Sequence, residues 1–323
     1  MALRASKSPF SYLKSKVVLK TSDFIRLISL AAIWGASFLF MRIIVPVLGP
    51  IPSSFVRVVF ASVGLIVILL AMRTQFNFHG KLRSLLLLGV FSSGIPVVMY
   101  SFAAQVLPAG YSAIFNATTP LMGILIGALF FSEKLNLFKA LGVVFGLAGV
   151  AVLTRTGPVA LDTNVLLGAL ACLVATSCYG LAGFLTKRWI SDKGGLDSKL
   201  VALGSQLGAV GLLVPVFAVN VSAAPPATWG STGVWLAVAG LGFVCTSLAY
   251  IMYFRLIADI GPVKSLTVTF LIPPFGVLWG AIFLKEQLTL AHLTGGFLIA
   301  IALWLVLKPP QFKPAVAAQS LSK

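Results

Sequence analysis

Ten apolar runs follow one another along this chain, and each is about 20 residues long, enough for a helix to cross a hydrocarbon core about 30 Å thick. Because a segment in lipid must satisfy its own backbone hydrogen bonds, these runs have to form helices. The connections between them are too short for a separate soluble domain. The sequence predicts an all-α integral membrane protein with ten transmembrane helices, near residues 24–45, 51–71, 84–105, 109–131, 137–154, 164–186, 198–219, 233–254, 263–284 and 289–307.

The charged residues support the membrane class and indicate an orientation. Hydrophobic residues make up 59% of the chain and charged residues 10%, whereas soluble domains carry about a quarter charged residues. There are 24 Lys and Arg against seven Asp and Glu. This positive charge lies between apolar runs, so topology explains it better than nucleic-acid binding does. With the N-terminus inside, 20 basic residues lie on the inner side, and only Arg155 and Lys285 lie in outer connections. Both termini are therefore predicted to be cytoplasmic.

Two basic tails flank the predicted spans, over residues 1–23 and 308–323. The first 20 residues lack acids and contain Ser, a composition that organelle transit peptides share. The excess of positive charge on the inner side accounts for the same residues more simply. We therefore interpret both tails as cytoplasmic.

The second half of the chain repeats the first. Gly89–Leu153 aligns without a gap on Gly242–Val306, at an offset of 153 residues. Within this region PLMGILIGALFFSEKL matches PPFGVLWGAIFLKEQL in one proline, both glycines, the glutamate and the last leucine. Shared apolar letters carry little information in such a composition, but a common register of Pro, Gly and Glu does. The repeat predicts two five-helix units, over residues 24–157 and 158–307.

Five spans per unit is an odd number, so the two copies must enter the membrane in opposite orientations. The first spans of the two units also correspond, because Trp34-Gly35 matches Tyr179-Gly180 at a slightly different offset. Inverted repeats of this kind are typical of secondary transporters, in which two related halves rock between inward-open and outward-open states.

Several of these segments resemble a known family. AAIWGASFLFMRI in the first span, Pro52 followed by Arg57 in the second, and the twice-occurring Pro-Gly-Gly-Glu-Leu segment are similar to the EamA-like branch of the drug/metabolite transporter superfamily. The resemblance covers roughly residues 24–307. It implies ten helices, a central cavity between the halves, and movement of small metabolites, often outward across a bacterial inner membrane. It does not name a substrate.

Polar residues near the middle of two spans mark the predicted cavity. FNATTPLMG contains Asn116, Thr119 and Pro120, and its repeat partner VTFLIPPFG contains Thr269 and Pro273. A proline in a helix removes one hydrogen bond and disturbs the preceding turn, so each segment should break its helix and free a backbone carbonyl. Matched breaks in two halves are typical of a transporter's substrate site. The alternative is that these residues serve helix packing alone.

Four glycines lie on the same helix faces as these polar residues. Gly123 and Gly127 form one G-x-x-x-G pair, and Gly276 and Gly280 form the equivalent pair in the second half. Small residues at this spacing let two helices approach closely, so these positions are predicted to pack against neighbouring spans.

Aromatic and basic side chains complete the candidate set. Tyr100 and Tyr253 are repeat partners near the middle of their spans, and Trp34 is a further candidate for the cavity wall. Single aromatics in membrane helices more often belong to the core or the interface, so each is a weak indicator alone. Arg42 and Arg57 are placed to meet an anionic substrate group at the outer mouth. For both, however, the sequence favours snorkelling or pairing at a helix end.

The chemistry that the sequence lacks narrows the function. All seven acids lie at span ends or in loops, which disfavours a buried-carboxylate proton relay and a cationic substrate. Both histidines, His79 and His292, lie at loop or span ends, where solvation is expected. The sequence contains no motif that indicates a metal site, a cofactor or catalytic activity. We expect a carrier for a neutral, zwitterionic or anionic solute, working as a monomer or homodimer in the bilayer, with a channel as the alternative.

Two substitutions test the cavity assignment. We expect Asn116→Leu and Thr269→Leu each to impair transport without affecting membrane insertion, because leucine keeps the bulk and removes the polar group. Flux into reconstituted vesicles, normalised to inserted protein, measures the effect. If both variants carry substrate as the wild type does, these residues do not line the substrate path.

Overall fold

The computed structural model describes residues 21–133, 135–156, 162–260 and 268–307. Within these ranges the regular structure is entirely helical. We number the main helices as follows: α1 Thr21–Leu48, α2 Pro50–Ala71, α3 Leu82–Val106, α4 Ala109–Phe130, α5 Leu137–Thr156, α6 Thr163–Trp189, α7 Ser198–Ala223, α8 in three adjoining segments (Thr232–Ala239, Gly240–Leu248 and Ala249–Ile260), α9 Val268–Leu284 and α10 Leu290–Leu307.

Each of the ten predicted runs falls on one of these helices, apart from residues 263–267, which lie outside the described chain. Seven helices are long and apolar enough to cross a membrane, namely α1 to α4 and α6 to α8. The other three are apolar but shorter, over Leu137–Leu153, Val268–Leu284 and Leu290–Ala302. The chain is therefore a multi-pass membrane protein. The predicted tails lie mostly outside the described residues, and their structure stays a prediction.

A tight connection between α1 and α2 shows how local chemistry ends these helices. Gly49 has φ +80°, in the left-handed region that glycine adopts without steric penalty. Pro50 follows as the first residue of α2, where a missing N–H costs nothing because that position has no intrahelical acceptor. One residue is therefore enough to reverse the chain between two long helices.

Helices α3 and α8 share a feature that the sequence analysis did not predict. Each contains an inner π-helical segment, Val90–Gly94 in α3 and Gly240–Leu248 in α8. At the repeat offset of 153 residues, the first segment falls inside the second. Such segments widen the helical turn and redirect side chains, and they are frequent at functional sites.

Helix packing follows the internal repeat. Several helix contacts have an equivalent in which every helix is replaced by its counterpart in the other half, five numbers away. The α1–α9 contact corresponds to the α6–α4 contact, and the α3–α6 contact corresponds to the α8–α1 contact. Similarly, α2 contacts α8 and α7 contacts α3. The pairs α2–α7 and α5–α10 join equivalent helices of the two halves. Most large contacts therefore run between the halves rather than within one.

Glycines bring the two halves into backbone contact at two equivalent places. A methyl group on Gly180 of α6 would lie 2.8 Å from Cα of Gly123 in α4. A methyl group on Gly35 of α1 would lie 2.9 Å from the backbone nitrogen of Gly276 in α9. Because Gly35 corresponds to Gly180 and Gly276 to Gly123, the same contact is made twice.

The other two predicted packing glycines are also crowded. A methyl group on Gly127 would lie 2.7 Å from the ring of Phe184, and one on Gly280 would lie 2.3 Å from a carboxylate oxygen of Glu286. Gly276 additionally faces Ala113 of α4, whose Cβ would lie 2.3 Å from an added methyl group. Larger side chains at these positions would push the helices apart.

Gly180→Ala should therefore destabilise the protein by about 1–3 kcal/mol, because the added methyl group has to displace backbone atoms of α4. The measurement is the melting temperature of the purified protein in detergent. Gly183→Ala is the matched control on the same helix, since a methyl group there meets nothing within 4 Å. Equal melting temperatures for the two variants would contradict this account of the α4–α6 contact.

Candidate functional site

The polar run in the middle of α4 interrupts the helix. One segment ends at Asn116 and the next begins at Thr119, so Pro120 occupies the first turn of a new segment, where its missing N–H is tolerated. The carbonyl of Asn116, expected to be free, accepts a hydrogen bond from Thr119 Oγ1 at 2.7 Å. Thr118 Oγ1 likewise donates to the carbonyl of Phe115 at 2.7 Å. Two threonine hydroxyls thus satisfy the carbonyls that the break exposes.

The expected matching break in α9 is absent from the described residues, and this part of the prediction is wrong. Helix α9 continues through Pro273 and Pro274. The repeat offset explains the difference, because Thr118 and Thr119 correspond to Leu271 and Ile272. Neither of these has a hydroxyl group to bond an exposed carbonyl, so an open break at this depth would leave polar groups unsatisfied.

Asn116 lies beside an aromatic cluster formed by three helices. Its Oδ1 accepts a hydrogen bond from Tyr100 Oη of α3 at 3.1 Å. The Tyr100 side chain is buried, and its ring packs edge-on against Phe38 of α1 with centroids 5.4 Å apart. On the other side, Tyr100 stacks with Tyr179 of α6 at a centroid distance of 6.4 Å. Asn116 and Tyr100 are therefore part of one site, which also includes Phe38 and Tyr179.

A second aromatic pair repeats this arrangement in the other half. Trp34 of α1 contacts Tyr253 of α8 with ring centroids 5.2 Å apart. Trp34 corresponds to Tyr179 and Tyr253 corresponds to Tyr100, so the two pairs are equivalent. Each pair joins the first helix of one half to the third helix of the other. The sequence analysis named Trp34, Tyr100 and Tyr253 as candidates but did not predict their pairing.

The side chain of Arg57 is half-buried and contacts α1. Its Nη1 lies 3.6 Å from Sδ of Met41, a buried residue of α1. Its Nε is buried and has no hydrogen-bond partner. Arg57 is within electrostatic range of Tyr179, and Tyr179 stacks on Tyr100. Arg57 therefore belongs to the same interior region as the Asn116–Tyr100 pair.

Arg42 is paired with a carboxylate. Its Nε lies 3.8 Å from Oε1 of Glu286, and its Nη1 donates to the carbonyl of Ala104 at 2.7 Å. Glu286 Oε1 also accepts the backbone N–H of Ala109 at 2.8 Å. A carboxylate at this position caps the start of α4, where the helix dipole favours negative charge.

The remaining candidates lie elsewhere. Pro273 lines a lateral cavity of about 820 Å³ together with Phe270, Val277 and residues of α10, and not the aromatic cluster. His292, expected to be solvated, is buried beside Tyr111 with its Nδ1 3.0 Å from Thr289 Oγ1. Thr269 is partly buried near the described start of α9, and its role stays a prediction.

Functional groups in the central region suit binding rather than catalysis. They are one amide, several phenols and hydroxyls, one guanidinium and aromatic rings. No group of three or more metal-ligating side chains occurs within the described ranges. The region is best described as an aromatic site with one cation, located where the two halves meet.

Residues 24–155 and 166–308 match the EamA-like transporter family, and the chain belongs to that family. It is a membrane transporter by this membership. The first matched segment covers helices α1 to α5 of the described chain, and the second covers α6 to α10.

The chain is also similar to individual proteins, two of which are named as a transporter or an exporter. The chain is 25% identical over 281 residues to the "uncharacterized transporter YoaV" of Bacillus subtilis, a match that covers 86% of this chain and 94% of that one. It is 28% identical over 275 residues to protein PecM of Dickeya dadantii, covering 85% and 88% of the two chains. A "probable terminal-alkyne amino-acid exporter" of Streptantibioticus cattleyicolor is 23% identical over 265 residues, covering 82% and 86%.

One solved crystal structure has the same fold. It superposes with a TM-score of 0.63, covers 92% of this chain and 100% of that chain, and is 17% identical in sequence. At this level of identity the likeness concerns the fold alone.

Replacing Glu286 by Gln should lower stability by about 1–3 kcal/mol, because the cap of α4 loses its charge and Arg42 loses its ionic partner. Glu133→Gln is the matched control at the equivalent position of the first half. Its side chain is 49% exposed, and among the described residues its ionic partner is Lys139 at 3.8 Å, so the expected change is within about 0.5 kcal/mol. The melting temperatures of both variants in detergent measure the difference. A smaller shift for the Glu286 variant than for the Glu133 variant would contradict the capping role.

Proposed function

We propose that this protein is a secondary transporter that moves a small organic metabolite across the cytoplasmic membrane by alternating access. The observation that carries the proposal is the duplicated contact between the halves. The pairs Trp34–Tyr253 and Tyr179–Tyr100 are equivalent, and each joins one half to the other. Two equivalent contacts around one central region are what a carrier needs if its two end states are related by exchange of the halves.

The proposed topology has ten membrane crossings in two inverted five-helix repeats. Seven spans long enough to cross, three shorter apolar helices and a family match to each half support this number. An odd number of crossings per repeat requires opposite orientations, and the positive charge in the inner connections supports cytoplasmic termini.

Close glycine contacts support relative movement of the halves. Where Gly180 meets Gly123 and Gly35 meets Gly276, backbone atoms of the two helices approach one another directly. In a membrane, association at such contacts depends on van der Waals packing rather than on the hydrophobic effect. Smooth contact surfaces of this kind suit helices that must rock against one another.

The proposed substrate is a neutral, zwitterionic or anionic solute such as an amino-acid-like metabolite, and the proposed direction is export. One relative is named as an amino-acid exporter, which supports both points. The aromatic walls of the central site also fit a solute with an apolar body. Cations are disfavoured, because the acids in the described ranges serve other roles or lie at the ends, as Glu286 does.

Counterflow in reconstituted vesicles tests the proposal. Vesicles preloaded with an unlabelled solute from an amino-acid and organic-acid panel should take up the same labelled solute faster than unloaded vesicles, and uptake should saturate. Protein-free vesicles and the Asn116→Leu variant are the controls. Electrical conductance that rises without saturation, with no stimulation from the opposite side, would favour a channel and overturn alternating access.

A further inference from the structure

Arg57 is the one cation of the central region for which the described residues supply no ionic partner. The ion pairs of Arg26, Arg42, Lys139, Lys199 and Arg255 each involve a carboxylate within 4.0 Å, whereas Arg57 has only the thioether of Met41 near its Nη1. A thioether is a weak hydrogen-bond acceptor. The buried Nε adds an unsatisfied donor to an unpaired positive charge.

Burial of such a group is unfavourable unless something compensates for it. Arg57 is half-buried, and the part of its guanidinium that is removed from water, Nε, loses its hydration without a hydrogen-bond partner in return. Charged side chains at this depth in membrane proteins usually face a pathway or another charge. A bound anion would supply the ionic partner that the described residues do not provide for Arg57.

Side chains from several helices lie near Arg57. Arg57 is within electrostatic range of Tyr179 in α6 and of Tyr250 and Cys245 in α8. Gln206 of α7 is almost fully buried, and its Oε1 accepts a hydrogen bond from Ser93 at 3.1 Å. The Gln206 side chain also interacts with Tyr250 of α8. Helix α7 therefore contributes a buried amide next to Tyr250.

We propose that Arg57 binds a carboxylate group of the transported solute, while the aromatic cluster of Phe38, Tyr100 and Tyr179 contacts its apolar body. A guanidinium presents two parallel N–H groups, which match the two oxygens of a carboxylate. A single cation balances a single negative charge, whereas a phosphate dianion would leave one charge unpaired. Met41 connects the two parts of the site, since it contacts Arg57 and packs in the same core cluster as Phe38 and Tyr100.

This inference rests on the proposed transport function only for the statement that the bound carboxylate is cargo. The binding itself can be measured without transport. Calorimetric titration of the purified full-length protein in detergent, with two isosteric probe pairs, isolates the charge. The pairs are phenylacetate with phenylacetamide and hexanoate with hexanamide, each matched in size but differing in one negative charge.

The wild type should bind each carboxylate at least about tenfold more tightly than its amide, the factor expected for one charge-assisted, bidentate contact. Arg57→Gln should reduce this preference to about onefold, because the substitution removes both the positive charge and the two parallel N–H groups of the guanidinium. Arg83→Gln, which removes an exposed cation near the start of α3, should keep the full preference and serves as the charge-matched control. Equal affinity of the wild type for carboxylate and amide, or an undiminished preference in the Arg57→Gln variant, would overturn the proposal.

Arg57→Lys serves the same comparison if the Gln variant does not fold, because lysine keeps the charge and loses the bidentate geometry. A preference reduced at least about threefold supports the assignment, and an unchanged preference refutes it. The two proposals fail in distinguishable ways. Carboxylate preference without saturable flux refutes the transport function alone, whereas saturable counterflow of a solute with no carboxylate preference refutes the role of Arg57 alone.

Discussion

Direct backbone contact between the two halves is the constraint on which the rest of this structure depends. In lipid the hydrophobic effect does not hold helices together, so close packing has to do so. At Gly180 and Gly123, and again at Gly35 and Gly276, the absence of side chains lets the helices approach until their backbones touch. Trp34 directly precedes Gly35 in α1, and Tyr179 directly precedes Gly180 in α6. The close glycine contacts therefore position the aromatic pairs Trp34–Tyr253 and Tyr179–Tyr100.

A second constraint is the need to satisfy every polar group inside the bundle. Helix α4 can open at Asn116 because Thr118 and Thr119 bond the carbonyls of the preceding turn. Helix α9 has the same proline without the threonines, and it remains helical. The two halves therefore differ in the property that defines a broken-helix site, although their packing is closely matched. Some buried polar atoms of the described residues have no hydrogen-bond partner, and Nε of Arg57 is one of them.

Much of the fold could be predicted because it depends on simple periodic properties. Each apolar run falls on a helix within the described residues, seven of them long enough to cross a membrane, and the repeat offset matched Tyr100 to Tyr253 and Gly123 to Gly276 as equivalent positions. The site was harder to predict. Arg57 and Arg42 look alike in sequence, yet one lies unpaired in the interior and the other pairs with Glu286, 244 residues further on. The π-helical segments of α3 and α8 also have no clear sequence pattern, because they arise where these helices pack against α7 and α2.

The sequence by itself determined that this chain lies in a membrane, that it is helical, and that its halves are copies, since hydropathy and repeat register are properties of single residues and their spacing. Only the tertiary structure decided which residues share a site. It places Asn116 against Tyr100, which stacks on Tyr179, puts Pro273 on the wall of a separate cavity, and brings the Arg57 guanidinium beside Met41. These outcomes depend on which helix lies opposite each side chain, and contacts between the halves decide that.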